Sequence, residues 1–150
     1  MEKYYLAVLK NEQHPTYKRG WGNGYVLVPK SSILYGRRYL ERVAKKVEDA
    51  LVKVGSVFVL PEYEKYSLPY FFEDIDVHGG ITFNASVTGL YNDNFEWIGD
   101  MPTQPLGDYW MFGFDTAHSG DCLGNRPKEW VIQETKSLSN QLMGLERKYQ

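Results

Sequence analysis

Tyr109-Trp110-Met111-Phe112-Gly113-Phe114-Asp115-Thr116-Ala117-His118-Ser119-Gly120-Asp121 joins the strongest strand signal in the chain to its densest polar chemistry. Tyr109 to Phe114 is apolar and ring-rich, the pattern of a strand buried on both faces. Asp115 then stands at the strand end, with His118, Ser119 and Asp121 in the following loop. A sheet fixes the geometry of such loops, which is why sites are often built on them. Near neutral pH a His acts as a base or a ligand, and an Asp orients it or binds a cation. The bland alternative is a polar loop in which Asp115 and His118 cap turns and bond to backbone.

Upstream, Asp74 to Phe83 alternates, with Ile75 and Val77 on one face of a strand and Asp76 and His78 on the other. Gly79-Gly80 inside that pattern implies a bulge or a close approach of something to the backbone. Their N–H groups can also form a shallow nest for an anion. A strand bend explains this segment when it is taken alone. Two Gly/His/Asp segments in one small chain point instead to a shared cleft. The candidate ligand-binding residues are therefore Asp76, His78, Gly79, Gly80, Thr82, Asp115, His118, Ser119 and Asp121.

The rest of the chain supplies the frame. Tyr4 to Leu9 and Tyr25 to Val28 read as short strands, the second stopped by Pro29. His14 to Gly24, rich in Gly, Pro and Asn, reads as a loop. Arg37 to Val54 carries Leu40, Val43, Ala44, Val47, Leu51 and Val54 at helical spacing and ends at Gly55. Ser56 to Leu60 reads as a strand, and Glu62 to Pro69 as a tyrosine-rich connection. Asn84 to Gly107 shows little periodicity and reads as a long loop. Pro127 suits a first helical turn, and Val131, Thr135, Leu138, Leu142 and Leu145 carry a helix stripe to the C-terminus. The expected fold is α+β: a single domain with a mixed or mainly antiparallel sheet flanked by two helices.

Composition narrows the function. At 150 residues with one cysteine, Cys122, the chain suits one core without disulfides. The N-terminus lacks a secretory pattern and no apolar run is long enough for a membrane, so a cytoplasmic protein is expected. A net charge of −2 with scattered Lys and Arg argues against nucleic acid as partner. Twelve Tyr, seven Phe and four Trp suit a ring-rich core, a subunit interface in a homo-oligomer, or a pocket that stacks on a planar ligand. Asp115-x-x-His118-x-x-Asp121 is able to supply metal ligands alongside Asp76 and His78. There is, however, no HExxH helix, no clustered Cys and no recognised metal spacing, so neither a metal nor a cofactor is expected. Ser119 lacks a nucleophile elbow, and Cys122 matches no Cys-protease signature.

The segments Val77-His78-Gly79-Gly80-Ile81-Thr82-Phe83 and Trp110 to Asp121 resemble a family of short, largely uncharacterised proteins from bacteriophages, prophages and other mobile elements. In that family a VHGG-[IL]-T-[FY] strand precedes a GFD-[TC]-AH-[AS]-GD strand and loop. Gly24 to Pro29 and Leu34-Tyr35-Gly36 are similar to its N-terminal portion, and the resemblance covers mainly residues 70–142. It implies a phage or prophage source, and hence a setting in the cytoplasm of an infected bacterium. Among the jobs of such accessory proteins, countering a host defence by sequestering a small nucleotide-like ligand fits the candidate cleft. The alternatives are a hydrolase acting on a nucleotide or phosphoester signal, with His118 as base, and an inhibitor that binds a host defence protein.

Overall fold

The computed structural model describes residues 3–42, 70–87 and 95–149. They form an α+β fold: a five-stranded sheet with a C-terminal helix, α1 (Lys128–Tyr149). The strands are β1 (Tyr5–Lys10), β2 (Gly22–Pro29), β3 (Phe83–Ser86), β4 (Glu96–Ile98) and β5 (Tyr109–Phe114). Their order is β3-β5-β2-β1-β4, and every neighbouring pair is antiparallel. The sheet is thus antiparallel throughout the described residues.

Strand alternation divides the core between two faces. Gly24 faces Thr135 of α1, so Val26 and Val28, at period two, share that face. Phe114 lies there too, its ring 6.5 Å from that of Trp130. Val131, Leu138 and Leu142, fully buried at helical spacing, close the layer from the helix. On the opposite face Leu27, Tyr109 and Met111 gather Tyr5, Tyr25, Phe83, Phe95 and Trp97. Tyr5–Tyr109, Tyr25–Phe83 and Tyr25–Phe95 meet edge to face, the arrangement favoured by the ring quadrupole. Much of the aromatic content is therefore core. A buried polar pair ties the end of α1 to the start of β1: the Tyr4 hydroxyl donates to Glu146 Oε2 at 2.8 Å. Burial and that hydrogen bond push the Tyr4 hydroxyl well above the usual tyrosine range.

Three expected elements differ. Gly22-Asn23-Gly24 is not loop but the start of β2, paired with Lys10, Leu9 and Val8. A side chain at Gly22 would meet the Leu9 carbonyl oxygen at 2.1 Å, and one at Gly24 would meet Thr135 Oγ1 at 2.0 Å. These glycines serve close approach, not turning. The expected loop over Asn84–Gly107 contains most of β3 and all of β4, short strands held by pairing to β5 and β1. The expected strand over Asp74–Phe83 is instead turn and coil up to Phe83, where β3 begins.

The chain divides into two compact units, Met1–Arg37 with Ile75–Gln150, and Arg38–Asp74. Within the second, residues 38–42 are not helical: the Glu41 carbonyl accepts from Phe71 N, and Arg42 bridges to Tyr70. Backbone groups that pair across the chain in this way are lost to a local helix, and Leu40 is exposed. The remainder of the expected Arg37–Val54 helix, the Ser56–Leu60 strand and most of the Glu62–Pro69 connection lie outside the described residues. No helix among the described residues is long and apolar enough to cross a membrane.

Candidate functional site

Two tight turns build the site. In the first, Gly80 N donates to the Val77 carbonyl at 2.8 Å, and Gly79 has φ +71°. A positive φ at the third position of a turn is the mark of type II, open to glycine and closed to most side chains. In the second, Asp121 N donates to the His118 carbonyl at 3.0 Å, with Gly120 at φ +90° in the same third position. One turn presents His78 and the other His118. Their rings meet edge to face with centroids 5.1 Å apart, so the two motifs converge as expected. The approach depends on Gly79, because a Cβ there would lie 2.4 Å from His118 Cε1.

Asp121 is the hub. It is 3% exposed, and His78 Nε2 lies 2.9 Å and 3.0 Å from its two carboxylate oxygens. His118 donates its backbone N–H to Asp121 Oδ2 at 3.0 Å and places ring Nδ1 3.3 Å from the same oxygen. Arg126 Nε stands 3.4 Å from Oδ1. Burial opposes the charge on Asp121. Hydrogen bonds from the His78 ring and the His118 N–H, with the charge of His78, outweigh it and hold the carboxyl below the usual carboxylate range. Asp115 Oδ1 is 3.5 Å from His118 Nδ1 and accepts the N–H of Ala117. The ring of Trp130 sits 5.2 Å from that of His78, and the Arg126 guanidinium stacks over it at 4.3 Å.

A groove of about 650 Å³ opens beside this cluster, lined on one side by residues 16–19 and on the other by residues 117–122. Its first wall is the loop between β1 and β2. Gly20 N donates to the Thr116 carbonyl, Trp21 N to that of Arg126, and Thr116 Oγ1 to that of Gly22. These bonds fix Lys18 and Arg19 opposite His118, Ser119 and Gly120. The second wall is stapled by Asn125, whose side chain donates to the Gly120 carbonyl and accepts from Cys122 N.

Not every candidate residue joins the cluster. The structure brings His78, Gly79, Asp115, His118 and Asp121 together, and Ser119 lines the groove. Asp76 is exposed and engages α1 through its backbone, accepting from and donating to the Gln141 side chain. Asp76 and His78 do not share a strand face, because the segment turns. A Cβ on Gly80 would touch nothing, and Thr82 is exposed, its N–H committed to the Gly113 carbonyl. Sequence reasoning missed Arg126, Trp130, Lys18 and Arg19. The i, i+4 spacing of Arg126 and Trp130 at a helix start was a usable signal for that stack, as was an adjacent basic pair in a loop between strands. Compared with family models, with curated proteins and with solved structures, the chain matches none.

Proposed function

We propose that the groove beside Asp121 holds a small phosphate-bearing, nucleotide-like molecule, and that the protein acts by sequestering it, in the manner of a phage protein that removes a host defence signal. One observation carries this reading: Lys18 and Arg19 share a groove with His118, Ser119 and Gly120. Among the described residues neither cation has a carboxylate partner. The acid lining the groove, Asp121, is buried and already engaged by both histidines. Two cations beside the Ser119 hydroxyl and the His118 ring favour an anion. The volume lies within the range of small-molecule sites, roughly 300–1,000 Å³. Tyr17, 66% exposed and 5.0 Å from the ring of His14, gives a planar base a surface to stack on. The rings around Leu27 and Met111 are committed to the core.

A second reading, hydrolysis of such a molecule, is favoured by the Asp121–His118 contact, since a carboxylate at one ring nitrogen orients the other as a base. Mass spectrometry of small molecules released from the purified protein tests both, followed by calorimetric titration of the released compound or of a panel of nucleotides and cyclic dinucleotides. The expected result is retention of a phosphate-bearing molecule. Its affinity should fall at least about tenfold when Lys18 and Arg19 are both replaced by Ala, a loss of roughly 1.4 kcal/mol, with an unchanged melt. Product formation would replace sequestration by turnover. Absence of binding across the panel, with nothing released, would end the ligand reading.

A further inference from the structure

The Asp121 carboxylate is crowded by nitrogen donors. Oδ2 faces His118 N–H at 3.0 Å, His78 Nε2 at 3.0 Å and His118 Nδ1 at 3.3 Å. Oδ1 faces His78 Nε2 at 2.9 Å and Arg126 Nε at 3.4 Å. A carboxylate offers about four lone-pair sites, as many as the four distinct donors here, yet Arg126 Nε is buried without a hydrogen-bond partner. For an all-proton network, His78 Nε2 and His118 Nδ1 must both carry hydrogens directed at one carboxylate. Such crowding around a buried acid, with an orphaned donor beside it, calls for a different occupant of the centre.

We propose that His78 Nε2, His118 Nδ1 and Asp121 Oδ2 bind a divalent first-row transition ion, with zinc the fitting member. Among the described residues this is the one group whose ligand atoms lie close enough for a single ion, all within 4.8 Å of one another. The contacts of 3.0 Å and 3.3 Å between Asp121 Oδ2 and the two ring nitrogens match neighbouring ligands of an ion with the usual Zn–N and Zn–O lengths of about 2.0–2.2 Å. Binding puts one cation where hydrogens on the two facing ring nitrogens would otherwise point at the carboxylate. It also frees Oδ1 from His78, leaving that oxygen to face Arg126 Nε at 3.4 Å. Asp115, with Oδ1 3.5 Å from His118 Nδ1, adds a second negative charge to offset Arg126. Two imidazoles and one carboxylate leave a coordination position for an exogenous ligand. His118 and Asp121 both line the groove, so an anionic oxygen there is the natural occupant. The metal site does not depend on the nucleotide reading: zinc binding without nucleotide binding retains the one and removes the other.

Protein stripped with a chelator and titrated with Zn²⁺ is expected to take up one equivalent. Co²⁺ should give the visible absorption of a low-coordinate nitrogen and oxygen site. His78→Ala and His118→Ala should abolish both signals. Because replacing ligands around a buried carboxylate can unfold the chain, the deciding measurement uses the wild type. The chain has three histidines, and imidazole ¹H–¹⁵N spectra should show Zn²⁺ shifting His78 and His118 while His14, bonded to backbone at Thr16 and Tyr17, stays unmoved. No uptake of Zn²⁺ or Co²⁺, or shifts at His14 alone, would overturn the proposal.

Discussion

Replacing Gly79 and Gly80 separately by Ala isolates the contact on which the site depends. Both glycines have positive φ, +71° and +79°, so each alanine meets the same left-handed strain, about 1–2 kcal/mol. Each also gains roughly 0.4–1 kcal/mol by restricting the unfolded chain. Gly80→Ala meets nothing further, since its Cβ would have open space around it, and should cost about 1 kcal/mol. Gly79→Ala places Cβ 2.4 Å from His118 Cε1 and 2.5 Å from Nε2. The ring has to withdraw by about 1 Å to restore ordinary contact. That movement takes His118 away from Asp121 and leaves a buried acceptor less well served, adding about 1–2 kcal/mol. Urea unfolding should therefore find Gly79→Ala about 1–2 kcal/mol less stable than Gly80→Ala, and imidazole spectra should show His118 displaced in the first variant only. Equal stabilities with unmoved His118 signals would refute the claim that Gly79 is there to admit the ring.

Two further outcomes test the frame that carries the site. Tyr4 keeps its proton more tightly folded than unfolded, so its contribution is whole below about pH 10 and fades as pH rises beyond the unfolded value. Denaturation across that range should find wild type losing stability more steeply than Tyr4→Phe, and parallel curves would dismiss the buried Tyr4–Glu146 pair. Leu138→Ala, at a fully buried position of α1, should cost about 2–5 kcal/mol in the same assay. A much smaller loss would mean that the helix does not seal this face of the sheet.

The regular frame was legible because hydrophobic period is a local property of the chain. Tyr109–Phe114 is a strand over the residues its composition marks, and the Val131, Thr135, Leu138, Leu142, Leu145 stripe is buried along α1. Where the frame was misread, a non-local contact decided the outcome. Gly22 and Gly24 have the composition of a loop, yet β1 and α1 press against them so closely that only glycine fits. β4 is three residues long and exists by pairing with Leu6 to Val8. Nothing in Glu96-Trp97-Ile98 alone distinguishes it from the surrounding loop. Residues 38–42 have helical periodicity, but their backbone groups pair with residues 70 and 71. Propensity is a weak prior, and tertiary pairing overrides it.

The convergence of the two histidine segments could be read from composition, whereas the geometry of their meeting could not. Apolar and polar residues alternate from Asp74 to Phe83, which favours a strand. Gly79 at the third turn position imposes a reversal instead, and that changes which side chain reaches the centre. In a strand, Asp76 would accompany His78. In the turn, Asp76 drops away to the Gln141 side chain and the carboxylate facing His78 comes from Asp121, 43 positions along the chain. His-Gly-Gly and Ser-Gly-Asp each carried the turn signal. It was outweighed at the first because a type II turn and a β-bulge ask for the same glycine. Arg126 and Trp130 were hidden for a different reason: a helix start and an apolar stripe each have ordinary structural explanations. Only the shared geometry, with Arg126 stacked on Trp130 and pressed toward Asp121, separates a positioning role from a packing one. Residues that act through their neighbours leave little trace in a linear pattern. The buried unpartnered nitrogen of Arg126 is the kind of signal that only three dimensions supply.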